Sequence, residues 1–173
     1  MDGATTRPLT PAMRAALTDE TAHYVAFAWW AAVAIAACSA LVTWGLDRPP
    51  PAVALRLFLT LLAVATPTFE AVALYYVARG WRDRLGGRYR RYDGLFTPRV
   101  RGDAVRLALA HGGPVRLEGA DKATAAMIAA AAGGTLLATA RSRRALAVWD
   151  GEGLLLYRFP WYDPSTDPDL GPP

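Results

Sequence analysis

The chain lacks most of what soluble catalysis uses. Cys38 is its single cysteine, and His23 and His111 stand far apart as its only histidines. A lone cysteine excludes an internal disulfide framework, and the usual zinc ligand sets cannot be assembled, so no metal site and no cofactor are expected. Lys122 is the sole lysine among 19 basic residues. A nuclease would therefore lack its lysine beside paired carboxylates. There is no G-x-S-x-G elbow and no phosphate-binding loop, and Gly151-Glu-Gly153 lies in a hairpin link, where no dinucleotide fingerprint belongs. Asp150 and Glu152 beside it are residues that turns use for geometric reasons. An enzyme reading has no mechanism to rest on.

Charge is missing as well, over two long stretches. Tyr24 to Leu46 carries none, and Leu57 to Ala78 carries Glu70 alone. Each run is about 20 residues, enough to cross roughly 30 Å of hydrocarbon at 1.5 Å per residue. The two runs reconcile 53% hydrophobic residues and a mean hydropathy of +0.15 with 20% charged residues. The sequence predicts a transmembrane helical hairpin over 23–79, with spans at about 24–46 and 53–79. The link Asp47-Arg48-Pro49-Pro50-Pro51 stops helix propagation because three prolines remove backbone donors. Arg56 can snorkel to the headgroups at the start of the second span.

The remaining charge is uneven. Residues 79–144 sum to +9, whereas 1–22 sum to −1, 23–78 to zero and 145–173 to −4. The basic block directly follows the second span, so the positive-inside rule places both termini in the cytoplasm. Tyr24, Trp29, Trp30, Tyr75, Tyr76 and Trp81 form an expected inner aromatic belt, with Trp44 at the outer one. Arginine and alanine abundance reads as a GC-rich bacterial coding bias, and the membrane as the bacterial inner membrane. Ile35-Ala-Ala-Cys38 has the form of a lipoprotein processing box. Its context argues against one, since Asp19 and Glu20 precede the run and apolar sequence continues to Trp44.

Glu70 is the most specific candidate. An ionised carboxylate at membrane depth costs several kcal/mol unless paired, hydrated or neutralised. Pro67 is expected to kink the helix, and Thr66 shares a small, polar face with Ala63, Glu70 and Ala73. In the hairpin, Glu70 falls at the depth of Ala28 to Trp30, so an indole N–H of Trp29 or Trp30 is a candidate partner. Ala28, Ala32, Ala36 and Ala40 form a small-residue ridge for helix approach. The structural reading of Glu70, a carboxyl fixing helix packing or oligomer register, stands ahead of proton or ion handling.

Residues 80–101 form a basic juxtamembrane collar. Trp81, Leu85, Tyr89 and Tyr92 recur at spacings of three or four between arginines, as in an interfacial helix bent at Gly86-Gly87. Arg79, Arg82, Arg84, Arg88, Arg90 and Arg91, with Trp81, are its expected contacts to anionic lipid headgroups. Adjacency to a span favours lipid over nucleic acid as the partner.

The N-terminal segment 1–22 and a small α+β domain at 102–160 complete the cytoplasmic side. Ala104–Ala110 reads as a strand or a short helix, and Val115–Leu117 as a strand. Asp121 caps a helix from Lys122 to Ala132, and the runs at 135–140, 145–149 and 154–159 are strands, the last two a hairpin. The tail 161–173, rich in Pro and Asp, is expected to be extended. The fold class is thus a membrane protein of α+β type: a two-helix hairpin followed by a cytoplasmic domain. The functional expectation is an accessory or scaffold protein that tethers an interaction domain and binds a protein partner or further copies of itself. The alternatives are an oligomerising, pore-forming effector controlled by its cytoplasmic domain, and a membrane-bound enzyme whose site the sequence does not reveal.

Overall fold

The computed structural model describes residues 4–46, 53–102, 104–110, 113–131 and 133–170. The proline link and the turn at His111 lie outside them. The chain divides into two compact units: a helical hairpin of residues 20–80, and a discontinuous β unit of residues 1–19 and 81–173. Strand β1 (Ala4–Pro8) comes first, followed by α1 (Pro11–Leu46) and α2 (Val53–Gly86). Helix α1 begins well before Tyr24 because Thr10 caps it: its hydroxyl accepts the Met13 N–H at 3.1 Å. Pro11 takes the first helical position, where a missing N–H leaves no bond unmade.

Both helices are long and apolar enough to cross a membrane, the most apolar 18-residue window having mean hydropathy 1.8 within Pro11–Leu41 and 1.5 within Thr60–Gly86. Only 11% and 12% of the residues in their apolar windows are buried. A helix serving as the core of a soluble domain would hide most of that surface.

Helix α2 keeps Pro67 in its interior and stops at Gly86. Gly87 adopts φ 60°, and its N–H reaches the carbonyls of Asp83 and Arg84, both at 3.1 Å. This left-handed cap is open to glycine at little cost. It also corrects the expected interfacial helix beyond Gly87, because the chain re-emerges as β2 (Arg88–Gly94). The spacing of Tyr89 and Tyr92 had suggested a helical face. In the strand they turn to opposite sides of the sheet, Tyr89 into one core and Tyr92 against the other.

The other elements are β3 (Phe96–Arg101), β4 (Ala104–Leu109), β5 (Val115–Leu117), α3 (Lys122–Ala131), β6 (Gly134–Thr139), β7 (Ala145–Asp150), β8 (Leu155–Arg158) and a 3-10 turn at Pro164–Thr166. One antiparallel sheet runs β1-β2-β6-β7-β8, and a second runs β3-β4-β5. The strand alternative for Ala104–Leu109 holds, with Val105 and Leu107 facing inward. Strand β7, between β6 and β8, is buried on both faces. One core joins Leu136 and Val148 of the large sheet to Phe96, Leu107 and Val115 of the small one and to Ile128 of α3. The other packs Leu137, Leu146 and Trp149 against Met13 and Leu17 of α1.

Two expected boundaries therefore change. The N-terminal segment is part of the β unit, since β1 pairs with β2 in the register Thr6↔Arg90. The collar has no separate existence, because β2 and β3 are strands of the two sheets. The tail is also more than an extended strip. Tyr162, Pro164 and Asp167 are buried, and Asp163 caps the 3-10 turn by accepting the Ser165 N–H.

Candidate functional site

In the hairpin unit, the buried and half-buried side chains of α1 include Thr21, Tyr24, Ala28, Ala31, Ile35 and Cys38. On α2 they include Thr66, Glu70, Ala73, Val77 and Gly80. Steps alternating between three and four give the 3.5-residue period of helices packed along a seam. Tyr24 stacks on Tyr76 with centroids 4.6 Å apart, and Phe27 meets Phe69 edge-on at 6.5 Å, so the helices run antiparallel. Helix approach is close where a Cβ on Gly80 would stand 2.5 Å from Thr21 Oγ1. The alanine ridge at spacing four leaves the seam, with Ala36 and Ala40 exposed. Each step of four overshoots a full turn by about 40° and winds around the helix.

The Tyr24–Tyr76 and Phe27–Phe69 contacts set Glu70 level with about Ala26 to Trp30, half-buried in this seam. The expected indole partners do not reach it: Trp29 and Trp30 point outward, 69% and 70% exposed. Glu70 makes no hydrogen bond or ion pair with another described residue. Buried Thr66 donates to the Leu62 carbonyl of its own helix at 2.5 Å. Pro67 is exposed, and the side chains of Ala63 and Arg56 are outside those described. Of the expected belt, Trp29, Trp30, Trp44, Tyr75 and Trp81 are exposed, whereas Tyr24 and Tyr76 stack within the hairpin.

The expected collar residues are dispersed. Arg79 is buried, while Trp81, Arg82, Arg84 and Leu85 are exposed on the last turns of α2. Arg88, Arg90 and Arg91 lie on β2, where successive side chains face opposite sides. Arg91 turns to the side of Tyr89 and pairs with Asp93, Nε to Oδ1 at 3.1 Å. Arg90 Nε is buried without a hydrogen-bond partner. Of the expected collar, Trp81, Arg82, Arg84, Leu85 and Arg88 are exposed, on either side of buried Asp83.

A buried ionic cluster was not foreseen. Arg144, with no exposed side-chain surface, donates to Asp83 Oδ2 at 3.3 Å and to Glu118 Oε2 at 3.2 Å, and lies 4.7 Å over the Phe159 ring. Ser142 donates its N–H and hydroxyl to the same Asp83 carboxylate, at 3.1 and 2.6 Å. Asp83 thus fastens the end of α2 to the loop before β7. Arg144 gives no sequence signal of this, being one arginine of three in Arg141-Ser-Arg-Arg144. A second cluster joins the two ends of the β unit: Thr10 and Tyr162 both donate to Asp167 Oδ2, at 2.5 and 2.8 Å. Burial, then the hydrogen bond to Asp167, pushes the Tyr162 hydroxyl above its ordinary value of 10.0. At the start of α3, the Thr124 N–H and hydroxyl hold Asp121 below the usual carboxylate value.

Set against protein-family models, curated proteins and solved structures, the chain matches none. Its chemistry rests on its own residues. Among the described residues, no three His, Cys, Asp or Glu side chains converge as metal ligands. A cavity of about 440 Å³ is lined by Arg91, Leu137, Trp149, Leu155, Ser165 and Asp167. Its charged groups are already engaged, Asp167 with Thr10 and Tyr162, Arg91 with Asp93. Asp150 serves its turn by accepting the N–H groups of Glu152 and Leu154 at 2.9 and 2.8 Å. The arrangement fastens the joints of the β unit.

Proposed function

We propose that this chain is a membrane-anchored accessory or scaffold protein of a bacterial inner membrane, its β unit on the cytoplasmic side and available to a protein partner. One observation carries the reading: the apolar side chains of the two long helices face outward, while those of the β unit face inward. Acyl chains are the solvent in which the first arrangement is stable. The pairing of β1 with β2 supports the topology, because strands flanking the hairpin can join one sheet only if they emerge on the same side. The arginine excess after α2 supports that side being cytoplasmic. Exposed Trp81, Arg82, Arg84 and Leu85 suit the headgroup boundary.

A second reading, an oligomerising effector that perturbs the membrane, draws on half-buried Glu70, which has no partner among the described residues. Two helices cannot enclose a pore, so this reading requires several copies.

Affinity purification in mild detergent, with a measured oligomer mass and mass spectrometry, separates the two. A scaffold co-purifies with a stable partner and leaves vesicles sealed. An effector purifies as a homo-oligomer and releases trapped dye. Recovery of the intact chain as a monomer from the aqueous fraction, without detergent, would overturn both.

A further inference from the structure

The outer face of the small sheet carries a row of like charges. Arg99 of β3 stands directly opposite Arg106 of β4, and Arg106 directly opposite Arg116 of β5. Their neighbours Val105, Leu107, Val115 and Leu117 are buried, so alternation turns the arginines outward. Arg101, two residues beyond Arg99, shares that face. Directly opposed residues in such a sheet stand about 5 Å apart at Cα, and like charges in those positions lower stability.

Nothing in the described fold offsets this repulsion. The three strands contain no carboxylate. Glu118, just past β5, is committed to Arg144. None of Arg99, Arg101, Arg106 and Arg116 makes an ion pair with another described residue. The other outward positions are Thr97, Ala104 and Ala108, which keep the surface between the arginines low. Four arginines share this face, Arg99, Arg101 and Arg106 exposed and Arg116 half-buried, a charge pattern suited to phosphate oxygens.

We infer that this arginine ladder is an anionic-phospholipid docking face, by which the β unit lies on the surface of the membrane that anchors it. The inference rests on the membrane reading above and names the chemistry recognised. Three arguments select lipid. Single-stranded nucleic acid wants aromatic side chains for stacking, and base-edge readout wants Asn or Gln; this face has neither. A protein interface wants a buried aromatic or aliphatic anchor at its centre, and the ladder has none. A bilayer needs no anchor here, because the hairpin already supplies a high effective concentration of headgroups.

The test is arginine-specific footprinting of the full chain by phenylglyoxal, read by mass spectrometry. Nanodiscs of phosphatidylcholine alone are compared with discs holding about 30% phosphatidylglycerol, a composition that gives an anionic surface. Modification of Arg99, Arg106 and Arg116 is expected to slow several-fold in the anionic discs, and to recover in about 0.5 M salt, where the screening length falls to a few ångströms. Arg158, 60% exposed on β8, is the internal reference. In the double variant Arg99→Gln/Arg106→Gln, the difference at Arg116 between the two discs should disappear. The variant removes opposed like charges, so its melting temperature should stay level or rise.

Equal rates in both discs, with the chain still embedded, would overturn the ladder and leave the anchor intact. Failure of the chain to enter discs at all would overturn the anchor. Protection by an added oligonucleotide in phosphatidylcholine discs, without protection by phosphatidylglycerol, would assign the face to nucleic acid and overturn the lipid inference.

Discussion

In the β unit, Leu146 and Val148 are fully buried and Phe159 is 1% exposed; in the hairpin, Leu61, Trp29 and Trp30 are 69–70% exposed. One charged group in each unit differs as well. The buried arginine of the β unit has two carboxylate partners, whereas Glu70 of the hairpin has no described partner. One chain thus follows two packing rules. The β unit obeys those of a water-soluble fold, with apolar groups inside and buried charges paired. The hairpin buries small residues along its seam and turns its large apolar ones outward, the inversion that a lipid solvent permits.

The sharpest way to break the comparison is to remove the paired charge. Arg144→Ala leaves Asp83 buried without its cation and also loses the contact with Phe159 and part of the tie to Glu118. Truncating one partner of a buried pair costs about 3–5 kcal/mol. The variant is expected to lose the β unit's cooperative unfolding transition, or to lower its midpoint steeply, as followed by near-ultraviolet circular dichroism in detergent. A change below about 1 kcal/mol would show that this site is hydrated, as exposed ion pairs are.

A matched pair of leucine truncations sharpens the contrast directly. Leu146→Ala in the β unit opens a cavity beside Met13 and Trp149 and should cost about 2–5 kcal/mol. Leu61→Ala in the hairpin changes a side chain that faces outward, and should stay within about 0.5 kcal/mol. Both are read from denaturant midpoints in one detergent. Equal losses would mean that Leu61 is buried in the working molecule, by another copy or a partner.

How much of this was legible depended on the range of the interaction. The helices were readable because hydropathy is additive along the chain, and strands β6 to β8 because their apolar runs are bounded by turn residues. Helix α1 began earlier than expected because Thr10 and Pro11 are local signals that the acidic pair Asp19 and Glu20 obscured. The collar was misread past Gly87 because Trp81, Leu85, Tyr89 and Tyr92 satisfy a helical period, while the φ of one glycine switches the chain to a strand. The contacts of Asp83, Glu118 and Arg144, and of Thr10 with Asp167, span long sequence separations and have no local signature. Counting residues puts Glu70 level with Ala28 to Trp30 but says nothing of its surroundings, because it leaves the rotation of each helix about its axis undetermined.

A smaller effect tests the joint between the ends of the β unit. Tyr162→Phe removes one of the two hydrogen bonds to Asp167 Oδ2 and should cost about 1 kcal/mol. The pH dependence carries a sign. The folded state holds the Tyr162 proton more tightly than the unfolded chain, whose value is 10.0. Its contribution is therefore intact below pH 10 and is lost as pH rises above 10, where unfolding releases a proton. The variant should show a flatter stability profile in that alkaline window. An unchanged slope would place the alkaline sensitivity on other tyrosines.

Glu70→Gln is expected to do least to stability and most to decide between the two functional readings. Glutamine keeps the shape of the neutral carboxylic acid and adds donors, so a Glu70 that sits uncharged in the seam is replaced within about 0.5 kcal/mol. In a scaffold, the oligomer mass in mild detergent and the partner recovered with it should both be unchanged. In a conducting assembly, an ionised Glu70 facing a water-filled path would be required, since an unpaired charge facing hydrocarbon costs several kcal/mol. Dye release from proteoliposomes would then be present in the parent chain and abolished by the substitution. The seam itself gives the comparison its last test. If Gln tightens the hairpin, the carboxyl was a cost carried for function; if nothing changes, the small residues around it already determine the packing.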